Sequence, residues 1–158
     1  MKTIIIMRHG EAEPLQEHDE ARQLTKNGRA QAHAMGQWLS RQMFAPQAFL
    51  ISPYLRAQQT ANEVLQSNHA SFSETCSDVI PSGNACIAID YLETLISMHD
   101  EIDSWIVVAH MPIVSYLVDQ LCPGELPIFQ LAACAVIEYD EQSRKAHFVR
   151  MKVSELGN

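Results

Sequence analysis

The apolar positions of the chain follow two periods in turn. Residues 3–7 read Thr-Ile-Ile-Ile-Met and residues 105–109 read Trp-Ile-Val-Val-Ala, both short unbroken runs of strand length. Runs that are apolar on both faces suit the middle of a sheet covered on both sides. Between them the period becomes helical. Ala34, Met35, Trp38 and Leu39 recur at core spacing in a helix predicted over residues 26–43, with Thr25 as its cap and Pro46 just past its end. Residues 48–51 form a second short strand. Ser52 as N-cap and Pro53 at the first helical position open a helix to about Gln66, with Ala57, Ala61, Val64 and Leu65 inward. After a loop through Pro81-Ser82-Gly83-Asn84, one helix carries Ala88, Leu92, Leu95 and Ile96. Another, over residues 111–121, turns Val114, Leu117, Val118 and Leu121 inward. Residues 133–139 and 146–152, joined by a turn at 140–144, read as a hairpin.

Alternating strands and helices predict an α/β fold: a single-domain three-layer sandwich with a mostly parallel central sheet, helices on both faces and a C-terminal antiparallel hairpin. There is no internal repeat, low-complexity tract or linker, so residues 1–158 are expected to form one domain. At 158 residues and 47% hydrophobic content, the chain is long enough for one core and short for two. No apolar run approaches the ~20 residues of a membrane span. The N-terminal run is too short for a signal-peptide core and no small-residue cleavage site follows it, so a cytoplasmic protein is expected. Cys76, Cys86, Cys122 and Cys134 form no C-x-x-C pair and no ligand-like spacing with histidine, which reads as reduced, mostly structural thiols.

Charge narrows the partners. The net charge is −8 and no lysine or arginine run exists, which argues against a nucleic-acid or anionic-membrane surface. The acids cluster: EAEPLQEHDE at residues 11–20 holds five carboxylates in ten positions. A solvated loop is the plain reading. Bordering a binding site, it would repel small multiply charged anions.

In open parallel sheets, ligands sit beyond the carboxyl ends of the strands. Three predicted strands end there in polar residues: Arg8-His9-Gly10, Ser52-Pro53-Tyr54-Leu55-Arg56, and Ala109-His110-Met111-Pro112. Taken singly, each is bland. An R-H-G tripeptide is common by chance, Arg56 reads as a surface helix arginine, and His110 as a satisfied strand-end histidine. Together, two arginines and two histidines on one rim describe a phosphate site containing a nucleophile. Arginine's planar fork matches phosphate oxygens bidentately. Nearby cations also keep an imidazole neutral, with a lone pair free to attack phosphorus. Gly10 would leave the approach unobstructed and allow an unusual backbone angle. Arg56 sits in a helix's first turn, where backbone N–H groups favour an anion. His110 could donate to the transferring oxygens. The remaining histidines (His18, His33, His69, His99 and His147) read as surface, and none pairs at an i, i+4 metal-ligand spacing.

These segments carry a resemblance. RHGE at residues 8–11, SPYLRAQQTA at 52–61 and AHMP at 109–112 resemble the signature of the histidine phosphatase superfamily, with its phosphoglycerate-mutase-like fold. The chain lacks the usual inserted helical subdomain. With RQLTKNG at 22–28, IPSGN at 80–84 and YLVDQLCPGE at 116–125, it is similar to the short phosphohistidine phosphatases of that superfamily. The similarity runs from the first strand to about Glu125. It implies that His9 is the phosphorylated nucleophile, that Arg8, Arg56 and His110 form the phosphate pocket with Arg22 a further contributor, and that no cofactor is needed. It also implies a phosphorylated histidine-containing signalling protein as substrate. Mutases and sugar-phosphatases of the superfamily bring a carboxylate to protonate a leaving alkoxide. Here the matching stretch, Pro81-Ser82-Gly83-Asn84, has no acid. Glu93 reads as a solvated helix face, and Glu11 is the carboxylate nearest the nucleophile. Two other functions compete: a small-molecule phosphomonoesterase or mutase, and a non-catalytic phosphate-binding module. The missing acid and the acidic loop argue against the first, and the nucleophilic imidazole against the second.

Overall fold

The computed structural model describes residues 1–15 and 17–156. Six strands, β1 (Lys2–Arg8), β2 (Ala48–Ile51), β3 (Phe72–Thr75), β4 (Ser104–Ala109), β5 (Cys134–Asp140) and β6 (Lys145–Lys152), join four helices, α1 (Lys26–Ser40), α2 (Leu55–Leu65), α3 (Ala85–Met98) and α4 (Ile113–Leu121). The strands lie in the order β3-β2-β4-β1-β5-β6. The first four of these run parallel, β5 is antiparallel to β1, and β5 and β6 form the expected hairpin.

The period-2 alternation of strand side chains builds the layers. Ile4, Ile6, Leu50, Val107 and Ile137 pack against Leu92, Ile96, Val114 and Leu117 of α3 and α4. Ile5, Met7, Phe49, Ile106 and Val108 face the other way, onto Met35, Leu39, Ala57, Ala61 and Val64 of α1 and α2. Both faces of β1, β2 and β4 are therefore buried, which explains their unbroken apolar sequences.

Several local expectations are corrected. α1 ends at Ser40, and its buried face is Ala32, Met35, Gly36 and Leu39, leaving Ala34 and Trp38 half-buried. The face turns because Gly36 abuts α2, where an added Cβ would lie 2.7 Å from Val64 Cα. Thr25 does cap the helix, accepting from Gly28 N–H. α2 starts at Leu55 with Tyr54 as N-cap, so Ser52 is not the cap. α4 starts at Ile113, two residues late. β3 carries only one large apolar residue in four and lies at the sheet edge, so it has no periodic signal. His99 is half-buried, tilted against Phe72 with ring centroids 4.8 Å apart, and is not a surface residue. The four cysteines are free, and only Cys86 is exposed. No helix among the described residues is long and apolar enough to cross a membrane.

Candidate active site

The parallel register brings the three motifs together. Arg8 pairs with Ala109 and Ile51 with Val108, so β1, β2 and β4 end at nearly one level. The ladder runs one residue further: His9 N–H donates to Ala109 carbonyl at 3.0 Å, and Ser52 N–H to Val108 carbonyl at 3.0 Å. Strand parity then sorts the side chains. His9 continues the Ile5, Met7 side and His110 the Ile106, Val108 side, which are the same face. Their rings lie 5.2 Å apart. Arg8 continues the opposite parity, and its Nη1 donates to the Phe129 carbonyl at 2.8 Å.

His9 is buried at 6% exposure and its Nδ1 lies 2.6 Å from the Gly10 carbonyl. A carbonyl oxygen only accepts, so Nδ1 carries the hydrogen and Nε2 holds the free lone pair. Burial first, and then the Arg56, Arg8 and Arg22 charges, lower the His9 pKa to about 3 even though the Gly10 contact opposes them. The ring is thus neutral at pH 7. His110 is 1% exposed and is lowered to about 2, by burial first and then by His9 and the same arginines. Its Nε2 meets Ser52 Oγ at 2.7 Å, while its buried Nδ1 has no partner. Ser52 Oγ also accepts from Tyr54 N–H at 3.2 Å. Supporting His110 is the work of the serine that sequence reasoning made a helix cap.

Arg56 is 2% exposed, and its guanidinium lies 5.2 Å from the Tyr54 ring centroid. It reaches the acidic stretch: Nη1 donates to the Asp19 carbonyl at 2.7 Å and Nη2 to Asp19 Oδ2 at 3.2 Å. Arg22 joins through the same carboxylate, donating from Nε to Asp19 Oδ1 at 2.8 Å. Burial raises the Asp19 pKa, but Arg56 and Arg22 more than offset it, so the group lies below the usual carboxylate range. The Nε groups of Arg8 and Arg56 are buried without partners. Unpartnered guanidinium donors on two separate segments thus accompany a neutral imidazole, with the Arg22 charge nearby, the composition of a phosphoryl site.

The fold brings Arg8, His9, Arg22, Arg56 and His110 to one place. Asp19 and Thr60 were missed. Thr60 Oγ accepts from Gly10 N–H at 3.1 Å and donates to the Arg56 carbonyl at 2.8 Å, tying the end of β1 to α2. Asp19 was lost among its acidic neighbours, although its i, i+3 spacing to Arg22 was a usable signal. Gly10 has a different reason from the one expected. Its φ is not positive, and an added Cβ would lie 2.4 Å from the Gly28 carbonyl oxygen.

No carboxylate is left free in the expected places. Glu11 Oε1 accepts from Thr25 Oγ1 at 2.6 Å and Oε2 from Asn27 at 3.4 Å, so it serves the start of α1. Glu93 is half-buried and accepts from Tyr139 at 2.8 Å, correcting its reading as a solvated face. Tyr139 pairs with Lys2, at the far end of β1 from His9. Asn84 caps α3.

Residues 4–75 match the histidine phosphatase superfamily (branch 1). Phosphohistidine phosphatase SixA of Escherichia coli (strain K12) is 38% identical over 140 residues, 87% of this chain and 86% of that protein. The SixA homolog of Haemophilus influenzae is 37% identical over 146 residues, 87% of this chain and 88% of that protein. A solved structure of the protein histidine phosphatase SixA, complexed with tungstate, superposes with a TM-score of 0.88 at 36% identity, covering 96% of both chains. With relatives this similar over 87% of its length, the chain belongs to the SixA phosphohistidine phosphatase family of the histidine phosphatase superfamily.

Proposed function

We propose that the protein hydrolyses phosphohistidine on another protein, a phosphorylated histidine domain of a cytoplasmic signalling relay, through a phosphorylated His9. The carrying observation is the His9 ring itself. Its Nδ1–H is held by the Gly10 carbonyl, its Nε2 lone pair is free, and the charges of Arg56, Arg8 and Arg22 act on it.

The substrate imidazole carries phosphorus on one nitrogen and a proton on the other. His9 Nε2 attacks phosphorus, the substrate N–P bond breaks, and the electron pair leaves on a neutral imidazole. His9 keeps its Nδ1 proton, so the intermediate is a phosphoimidazolium whose proton rests on the Gly10 carbonyl. Water then attacks phosphorus and the N–P bond breaks with its electrons returning to Nε2. The water proton passes to phosphate or solvent, and His9 is restored. Arg8, Arg22 and Arg56 neutralise the equatorial oxygens throughout. In the tautomer that accepts from Ser52 Oγ–H at Nε2, His110 carries its hydrogen on the buried, unpartnered Nδ1, a donor for a phosphoryl oxygen.

Rapid quenching during turnover of a phosphohistidine protein tests this reading. An acid-labile, base-stable phosphoryl group on His9 is expected, with turnover abolished in His9→Ala. Substantial turnover by that variant would overturn it.

A further inference from the structure

Asp19 stands on the short 3-10 turn Asp19–Ala21, where the acidic stretch meets the site. It serves two guanidiniums at once. Oδ1 accepts from Arg22 Nε at 2.8 Å, Oδ2 from Arg56 Nη2 at 3.2 Å, and the main-chain carbonyl from Arg56 Nη1 at 2.7 Å. Arg22 also donates from Nη1 to the Glu13 carbonyl at 2.8 Å. The cations of Arg22 and Arg56 repel each other, and between them lies this single carboxylate.

Resting on the reading of the site given above, we propose that Asp19 is its positioning residue, locking Arg22 and Arg56 into one fork for the transferring phosphoryl group. Three guanidiniums less one carboxylate leave two positive charges, the complement of a phosphoryl dianion. The donors are not exhausted by this pairing. Each terminal nitrogen of Arg56 has a second hydrogen, and its Nε is buried without a partner. Asp19 therefore orients the fork without consuming it. An asparagine of the same size can accept from only one guanidinium, and its amide would face the other with a donor.

Positioning matters most where charge spreads over the equatorial oxygens, and a misplacement of about 1 Å costs on the order of 10²-fold. The test compares kcat, vanadate inhibition and phosphate inhibition in the native enzyme, Asp19→Asn, Asp19→Glu, Arg22→Ala and the Asp19→Asn/Arg22→Ala double variant. In Asp19→Asn, kcat is expected to fall roughly 10- to 100-fold. Vanadate, a mimic of five-coordinate phosphorus, should weaken in parallel, and inorganic phosphate by less than about threefold. Asp19→Glu should recover part of the loss. The double variant should be slowed by less than the product of the single effects, because Asp19 acts partly through Arg22. Unchanged or faster turnover in Asp19→Asn, equal losses for vanadate and phosphate, or strictly multiplicative effects would each overturn the proposal. Failure of the native enzyme to phosphorylate His9 would instead remove the reaction on which it rests.

Discussion

At the scale of single residues, the chemistry was the most legible part of the chain. An arginine and a histidine at the end of an apolar strand are bland alone, and it was the parallel topology that set them beside the matching ends at Arg56 and His110. Side-chain partners were not legible. Asp19 differs from its acidic neighbours only in what it touches, and the Glu11 carboxylate is turned toward Thr25 and Asn27 by the path of the loop. Arg56 offers the sharpest single-residue test. It is 2% exposed and presents its fork beside His9, so Arg56→Ala is expected to slow turnover about 10²–10³-fold, the scale of one preset donor. Arg56→Lys should recover only part of this, since an ammonium cannot make the bidentate contact. Steady-state kinetics checks it; a lysine variant as fast as the native enzyme would contradict a clamping role.

At the scale of elements, period gave α1, α3, α4 and the inner strands and capping gave the start of α1 but not of α2, and both failed where small residues or edges decide. Gly36 turns α1 by letting α2 close in, and no count of apolar residues registers a glycine as core. β3 survives by pairing with β2, since its own sequence has little to bury. The contact between the Gly10–Glu11 turn and the start of α1 was equally invisible, because it joins two glycines that are distant in sequence. A Cβ on Gly28 would lie 1.9 Å from the Glu11 carbonyl oxygen, and that backbone cannot yield without moving the turn that follows His9. Gly28→Ala is therefore expected to destabilise by about 1–3 kcal/mol, although alanine is the better helix former by about 1 kcal/mol. Its kcat should fall as well, since the turn holds the His9 tautomer. Urea unfolding and turnover assays check both. A gain in stability would show that the turn and α1 are not in close contact.

At the scale of the whole molecule, the sheet's function is to deliver two neutral histidines into a buried, cationic site, and this has a cost that depends on pH. Both folded pKa values lie below the ordinary 6.5, at about 3 for His9 and about 2 for His110. The unfolded chain therefore takes up protons first as pH falls. Stability from these groups is complete above pH ~6.5 and is lost as pH falls toward the folded values, by on the order of 1 kcal/mol for each histidine between pH 7.5 and 5.5. His110→Asn should lose on the order of 1 kcal/mol less than the native protein over that interval, measured by denaturant unfolding at both pH values. Identical pH dependences would mean that His110 is not held neutral by the fold. The same arrangement determines which substrates can react. Glu11 and Glu93 are engaged away from His9 and Asp19 is held between two guanidiniums, so none of these three carboxylates is placed to protonate a leaving group. An alkoxide has a conjugate acid near pKa ~15 and needs that help, typically worth ~10²–10⁴-fold, whereas imidazole, at about 6.5, leaves without it. The most direct test is kcat/KM across leaving groups of rising pKa, from phosphohistidine through aryl to alkyl phosphates, in the native enzyme and in Glu11→Gln. The expected result is a steep fall, at least ~10²-fold from phosphohistidine to alkyl phosphates, with the same slope in both proteins. A flat dependence in the native enzyme that turns steep in Glu11→Gln would contradict the account, because Glu11 would then be a general acid and phosphohistidine would have no chemical claim to be the preferred substrate.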